Sequence, residues 1–228
     1  MSQRKAELAA NLAAIQSRID AAATTCGRAP SEITLVVVTK TFPVEDIKLL
    51  YELGVRNFGE NRDQEGSIKA PALPKDCIWH FQGQIQSNKI KSILTWANCI
   101  HSLDALKHAA KIAEIGSNVQ ILVQVALEQV LRADRGGVDP ATLDAFLERV
   151  IDGFKLNVVG LMAVAPLEAR PKEAFDELSK IRTGLVHKWP QLQQLSAGMS
   201  NDFEAAIAAG ATLVRVGSSI LGSRSAPL

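Results

Sequence analysis

The chain has 228 residues, and its 25 basic and 24 acidic side chains leave a formal charge of +1, so no global field recruits nucleic acid or an anionic membrane. With 47% hydrophobic and 21% charged residues and no Pro/Gly/Ser-rich linker, the composition excludes a disordered chain and allows one large core, expected here as a single domain over 1–228. Cys26, Cys77 and Cys99 are odd in number, widely spaced and without a C-x-x-C pair, which argues against a disulfide framework or a cysteine metal site and fits a reducing compartment.

The N-terminal stretch MSQRKAELAANLAAIQSRI lacks the continuous apolar core of a signal peptide. No segment approaches the roughly 20 apolar residues needed to span a bilayer, so a cytoplasmic protein without membrane association is expected. Instead Leu8, Leu12, Ile15 and Ile19 recur at helical spacing and predict an amphipathic first helix. Beyond it, short β-rich runs alternate with helical stretches. Strands are predicted at 33–39, about 55–58, 77–81, 97–101, 119–126, 156–162, 192–196 and 211–216. Helices are predicted at 43–53, 60–69, 86–94, 103–115, 140–152, 171–188 and 201–209. Asp139 before Pro140, and Ser200/Asn201 with Glu204 and then Gly210, supply start and stop signals. Strands apolar on both faces that alternate with helices imply a parallel sheet covered by helices. The count of eight, and the lack of a G-x-G-x-x-G after the first strand, favour an α/β fold of the closed (β/α)8 TIM-barrel type over an open doubly wound sheet.

Barrel sites form where strands end, so the residues just beyond each strand carry the chemistry. The first strand runs into Thr39-Lys40-Thr41, the second into Gly59-Glu60-Asn61-Arg62, the third into His80-Phe81-Gln82-Gly83-Gln84 and the fourth into His101-Ser102. The sixth ends at Met162-Ala163, the seventh at Ser196-Ala197-Gly198-Met199-Ser200 and the eighth at Arg215-Val216-Gly217-Ser218-Ser219. The last two are small-residue loops in the two places where barrels commonly hold a phosphate, with hydroxyls at Ser200, Ser218 and Ser219 as further donors. Closure sets the eighth strand beside the first, and so sets Lys40 beside that phosphate. A phosphate-bearing aldehyde uses both features, its phosphate in the loops and its carbonyl carbon taken as an imine by the amine. The amine must be neutral to attack, a state that desolvation and the nearby Arg215 favour. Arg215 would face a pyridine ring and, staying protonated itself, keep the ring nitrogen unprotonated, which weakens the electron sink used in carbanion chemistry.

The stretches VVVTKT, FGENRDQE, WHFQGQIQSNKIK, IHSLD, GLMAVAP and LSAGMSNDFEAAIAAGATLVRVGSSILGSR resemble the pyridoxal-phosphate-binding homeostasis protein family, a relative of the barrel domain of alanine racemase. They run from about residue 33 to 224, nearly the whole chain. The resemblance implies a single barrel of the fold-type III kind with an extra N-terminal helix. It implies pyridoxal 5′-phosphate (PLP) as an aldimine on Lys40, phosphate contacts from Ser200, Gly217 and Ser218, and Arg215 near the pyridine nitrogen. Asn61, Met162 and Ser196 would line the ring. It further implies a role in vitamin B6 and amino-acid homeostasis with little or no turnover, PLP-dependent apoenzymes or amino acids as possible partners, and no metal. The chain ends at Leu228, so the second β-domain and opposing tyrosine of alanine racemase are not expected, and a monomer is. The sequence departs from the family at Gln82 and Gln84, where Ile and His are usual, at Ala197, where Met is, and at Arg135, where Lys is.

Two other readings stay open: an amino-acid racemase using the same Lys40 adduct, and a cofactor-free Schiff-base aldolase. His80 and His101 lack a metal-ligand pattern and are expected as packed or hydrogen-bonded histidines. Trp79, Trp96 and Trp189 are expected in the core, and Lys89 and Lys91 in NKIK on a solvated helix face. Glu60 could serve as a general acid/base, and pairing with Arg62 or a helix N-terminus explains it as well.

Overall fold

The computed structural model describes residues 2–128, 136–166 and 170–222, so Arg135 lies outside the described residues. Helix α1 (Gln3–Thr25) is followed by β1 (Thr34–Val38), α2 (Val44–Glu52), β2 (Asn57–Glu60), α3 (Asp63–Lys69), β3 (Ile78–Phe81), α4 (Ile90–Trp96), β4 (Cys99–Leu103) and α5 (Leu106–Ile115). Then come β5 (Gln120–Gln124), α6 (Leu143–Leu147), β6 (Val158–Met162), α7 (Pro171–Leu185), β7 (Gln194–Ser196), α8 (Phe203–Ala208), β8 (Leu213–Val216) and the short α9 (Ser218–Leu221). All strands pair in parallel in sequence order, and β8 returns to β1 from Thr34↔Leu213 to Val37↔Val216. The sheet is therefore the closed eight-stranded barrel that the alternation implied.

Alternation along each strand divides the core in two. Val37, Phe58, Ile100, Ile121 and Leu161 face outward into the layer between sheet and helices, where Ile47, Leu50, Ile93, Phe175 and Phe203 meet them. Val36, Cys99, Leu122, Met162 and Leu213 face inward and form a separate, smaller cluster that fills the lumen. The lumen also holds His80, His101, Ser196 and Arg215, each at most 5% exposed. Outside, α1 buries Leu8, Ile15 and Ile19 as its spacing predicted, with Leu12 partly covered, and its start is capped by Ser2, whose hydroxyl accepts from Lys5 N at 3.2 Å. No helix among the described residues is long and apolar enough to cross a membrane.

Most expected boundaries shift by a few residues, three of them with a clear structural cause. Strand β4 continues to Leu103, so His101 and Ser102 lie inside it rather than at its end. The helix expected at 60–69 starts at Asp63, because Glu60 is still paired in β2 and Arg62 has extended backbone. The span 140–152 is a 3-10 turn over Pro140–Thr142, then α6, then a π turn over Glu148–Gly153 that closes with Phe154 N–H on Arg149 O at 2.9 Å. Asp139 does cap that start, its carboxylate accepting from Ala141 N at 2.8 Å.

Candidate functional site

At the C-terminal rim of the barrel lies a cavity of about 380 Å³ whose wall includes Lys40, Asn61, Met162, Ser200, Arg215, Gly217 and Ser218. The side chains come from the ends of different strands, so barrel closure alone assembles them. Phe42, Val164 and Met199 make the wall partly apolar, Gln82 enters it from beyond β3 as its position implies, and Asp202 adds a polar group not expected there. It lies within a few residues of a strand end, which is the signal that could have found it. Gln84 is exposed and lines a neighbouring depression with Arg62 and Lys89 instead.

Lys40 is half-buried and lies just beyond the end of β1. Its two neighbours are pinned. Thr39 is fully buried; its hydroxyl donates to Glu60 Oε1 at 2.6 Å, and its carbonyl accepts from Lys69 Nζ at 2.9 Å. Thr41 has φ of 71°, costly for a β-branched residue, and its N–H donates to Glu65 Oε2 at 2.6 Å. Lys69 joins the two halves, donating to Glu60 Oε1 and Glu65 Oε2 at 2.7 Å each. Glu60 thus pairs with Lys69, not with Arg62 or a helix end, because the turn of α3 carries Lys69 back over the strand ends. Burial pushes the Glu60 carboxyl's pKa up while Lys69 and Thr39 pull it down, burial being the larger effect.

On the far side, the loops after β7 and β8 form a cup. Gly198 has φ of 90°, and a Cβ there would come within 2.7 Å of Phe203 Cα, so only glycine lets this loop lie on α8. A Cβ at Gly217 would come 2.9 Å from Val38 O, which keeps the cup close to β1. Ser218 Oγ meets Ser200 Oγ at 3.4 Å and bridges the two loops.

Arg215 forms the floor between lysine and cup. It is 5% exposed, with Nη1 donating to Ser196 Oγ at 2.7 Å and Nη2 to Ala163 O at 3.0 Å. A guanidinium has five N–H donors, so others remain for the cavity it lines. Burial lowers its pKa to about 10, which still leaves it protonated at neutral pH. Ser196 is not in the cavity wall. It is fully buried beneath Arg215, and its Oγ also meets His101 Nδ1 at 2.9 Å. His101 Nε2 meets His80 Nδ1 at 2.9 Å, so the two histidines are hydrogen-bonded, though within the barrel rather than at strand ends. Their ligand atoms lie within 4.8 Å of Cys99 Sγ, but burial raises the thiol's pKa and so keeps it protonated, a poor state for a metal ligand.

A primary amine, a hydroxyl-and-glycine cup, a fixed guanidinium and the buried Gln82 Nε2, which has no hydrogen-bond partner, match the donor chemistry of a phosphate-bearing aldehyde on a heteroaromatic ring. This defines a (β/α)8 barrel of the lysine-and-phosphate-cup class. The family model for the alanine racemase N-terminal domain matches residues 10–225. A pyridoxal phosphate homeostasis protein of Mycobacterium bovis is 40% identical over 97% of this chain and 94% of its own length, and one of Escherichia coli K12 is 36% identical over 96% and 97%. Among solved structures, PipY of Synechococcus elongatus PCC7942, determined with PLP bound, matches at 32% identity with a TM-score of 0.79 over 94% of this chain and all of that one. The chain belongs to the alanine racemase N-terminal domain family and, within it, to the pyridoxal phosphate homeostasis proteins.

Proposed function

We propose that the chain, working as a single barrel and a monomer, binds PLP in the rim cavity and serves PLP and amino-acid homeostasis with little turnover. The observation that carries this reading is the convergence of Lys40, the Ser200/Gly217/Ser218 cup and the tethered Arg215 on one cavity. When bound, PLP supplies an aldehyde that condenses with an amine and a ring that can delocalise negative charge. Lys40 would hold it covalently, the cup would hold its phosphate, and Asn61 and Met162 would border its ring. Arg215 bears on turnover. A guanidinium held protonated against the pyridine nitrogen prevents that nitrogen from taking a proton, so the ring withdraws electrons less well and carbanion chemistry is slowed. Retention is thereby favoured over reaction. PLP-dependent apoenzymes are the partner class that would receive what is held.

The test is an absorption spectrum of the purified protein with and without added PLP, then borohydride reduction and peptide mass mapping. A visible cofactor band and a pyridoxyl label on Lys40 are expected, both lost in Lys40→Ala. An unlabelled Lys40 after PLP addition would overturn the assignment and return the cofactor-free aldolase.

A further inference from the structure

Below the cavity, the lumen contains a line of polar side chains that the proposed function does not use. From Arg215 Nη1 it runs to Ser196 Oγ (2.7 Å), from Ser196 Oγ to His101 Nδ1 (2.9 Å), from His101 Nε2 to His80 Nδ1 (2.9 Å), and from His80 Nε2 to Asn57 Oδ1 (3.0 Å). It crosses the barrel from the penultimate residue of β8 to the first residue of β2. His80, His101 and Ser196 are each at most 4% exposed, so no solvent can substitute for a missing partner.

The two ends impose a direction. A guanidinium only donates, so Ser196 Oγ accepts from Arg215 and its single hydrogen is free to point elsewhere. At the other end Asn57 presents its oxygen, so His80 carries its hydrogen on Nε2 and must accept on Nδ1. His101 therefore carries its hydrogen on Nε2, donates to His80, and accepts on Nδ1 from Ser196. Each ring nitrogen and the serine hydroxyl is satisfied once, with both imidazoles neutral. In the opposite arrangement, with both hydrogens on Nδ1, Ser196 would receive two donors and its own hydrogen would be released.

We infer that Asn57, His80 and His101 are positioning residues for the cofactor-facing guanidinium: they commit the Ser196 hydroxyl downward as acceptor for Arg215 and so fix that guanidinium against the ligand ring. The inference rests on the PLP reading of the rim cavity. None of the three lines that cavity, so their effect on a ligand there has to pass through Ser196 and Arg215.

The test compares His101→Leu with His101→Asn in the PLP-loaded protein. Leucine and asparagine branch alike at Cγ, but only asparagine offers a polar group where Nδ1 stood. The Leu variant is expected to lose PLP about tenfold faster than wild type, the equivalent of one hydrogen bond to a charged group, with a shifted cofactor absorption band. The Asn variant is expected to stay within about twofold of wild type in both readings. Leu and Asn variants that release PLP equally fast would reduce the histidine to packing and overturn the inference. Should His101→Leu not fold, imidazole 15N NMR of the wild-type protein decides without any substitution. Hydrogens on Nε2 of both His80 and His101 support the direction, and hydrogens on Nδ1 overturn it. A wild-type protein that never takes up PLP would instead overturn the underlying reading, whatever the tautomers.

Discussion

Lys69 is a second lysine at the end of β1, and its geometry makes it a brace. It is 6% exposed and lies between two carboxylates and the carbonyl that precedes Lys40. Removing one member of a buried ion pair leaves the other uncompensated, at about 3–5 kcal/mol. Lys69→Met is therefore expected to destabilise by about that much, and adding Glu60→Gln to recover part of it. Chemical denaturation of the single and double variants measures both, and a Lys69→Met loss below about 1 kcal/mol would mean that the brace carries no stability. PLP capture on Lys40 should slow in the same variant, since Thr39 and Thr41 lose their common anchor. This brace was not legible in the sequence. Glu60 has Arg62 two positions away, and proximity favours it. The real partner, nine residues on, depends on where α3 begins and which face its i,i+4 pair of Glu65 and Lys69 turns to the strands. Lys40, Arg215 and the Gly/Ser loops were legible because their positions at strand ends already imply the rim. Ser196 is not ring-lining as expected, since a position at the end of β7 does not tell whether its side chain points into the cavity or below it.

At the scale of elements, α1 and α9 form a pair that sequence periodicity only half reveals. The stripe of Leu8, Ile15 and Ile19 predicts that α1 packs, but what its polar side chains do depends on what lies opposite. Arg4 Nη2 donates to Leu221 O at 2.9 Å while its guanidinium also pairs with Asp46, and Asn11 Nδ2 donates to Ile220 O at 3.0 Å. The last carbonyls of a helix lack partners within it, and a four-residue helix such as α9 has few other means of support. The N-terminal helix thus holds from behind the element that begins with Ser218, directly after Gly217. The double variant Arg4→Ala/Asn11→Ala removes two such bonds, each worth about 1 kcal/mol, which corresponds to roughly tenfold or more in a rate or affinity. PLP dissociation should accelerate by about that factor while borohydride still labels Lys40. Dissociation at the wild-type rate would show that the cup stands without α1. Sequence periodicity found all eight strands, but it could not resolve the π turn over Glu148–Gly153, because a bond to the fifth residue leaves the apolar spacing of Leu143, Leu147 and Val150 unchanged.

For the whole molecule, the polar line through the lumen makes the barrel sensitive to acid. Burial lowers His80 to about 4, against about 6.5 for an unperturbed histidine, and pushes His101 down as well, with His80 and Arg215 adding to the effect. A histidine whose pKa is lower folded than unfolded takes its proton first in the unfolded chain. Its contribution is therefore complete above pH 6.5, declines as pH falls from there toward 4, and is constant below that. For His80 alone the loss is about 3 kcal/mol, of the order of a third of the stability of a typical domain, and His101 adds to it with the same sign. Buried carboxyls and His108 also titrate in acid, so the contribution has to be isolated by difference. His80→Gln keeps a donor near the Nε2 position facing Asn57 but cannot take up a proton. Between pH 6.5 and 4, the unfolding free energy of wild type should fall by about 3 kcal/mol more than that of His80→Gln, and the two should run parallel above pH 7. Curves that stay parallel down to pH 4 would mean that the lumen admits a charged imidazole at no cost, and the neutral, one-directional line would then not describe the barrel interior.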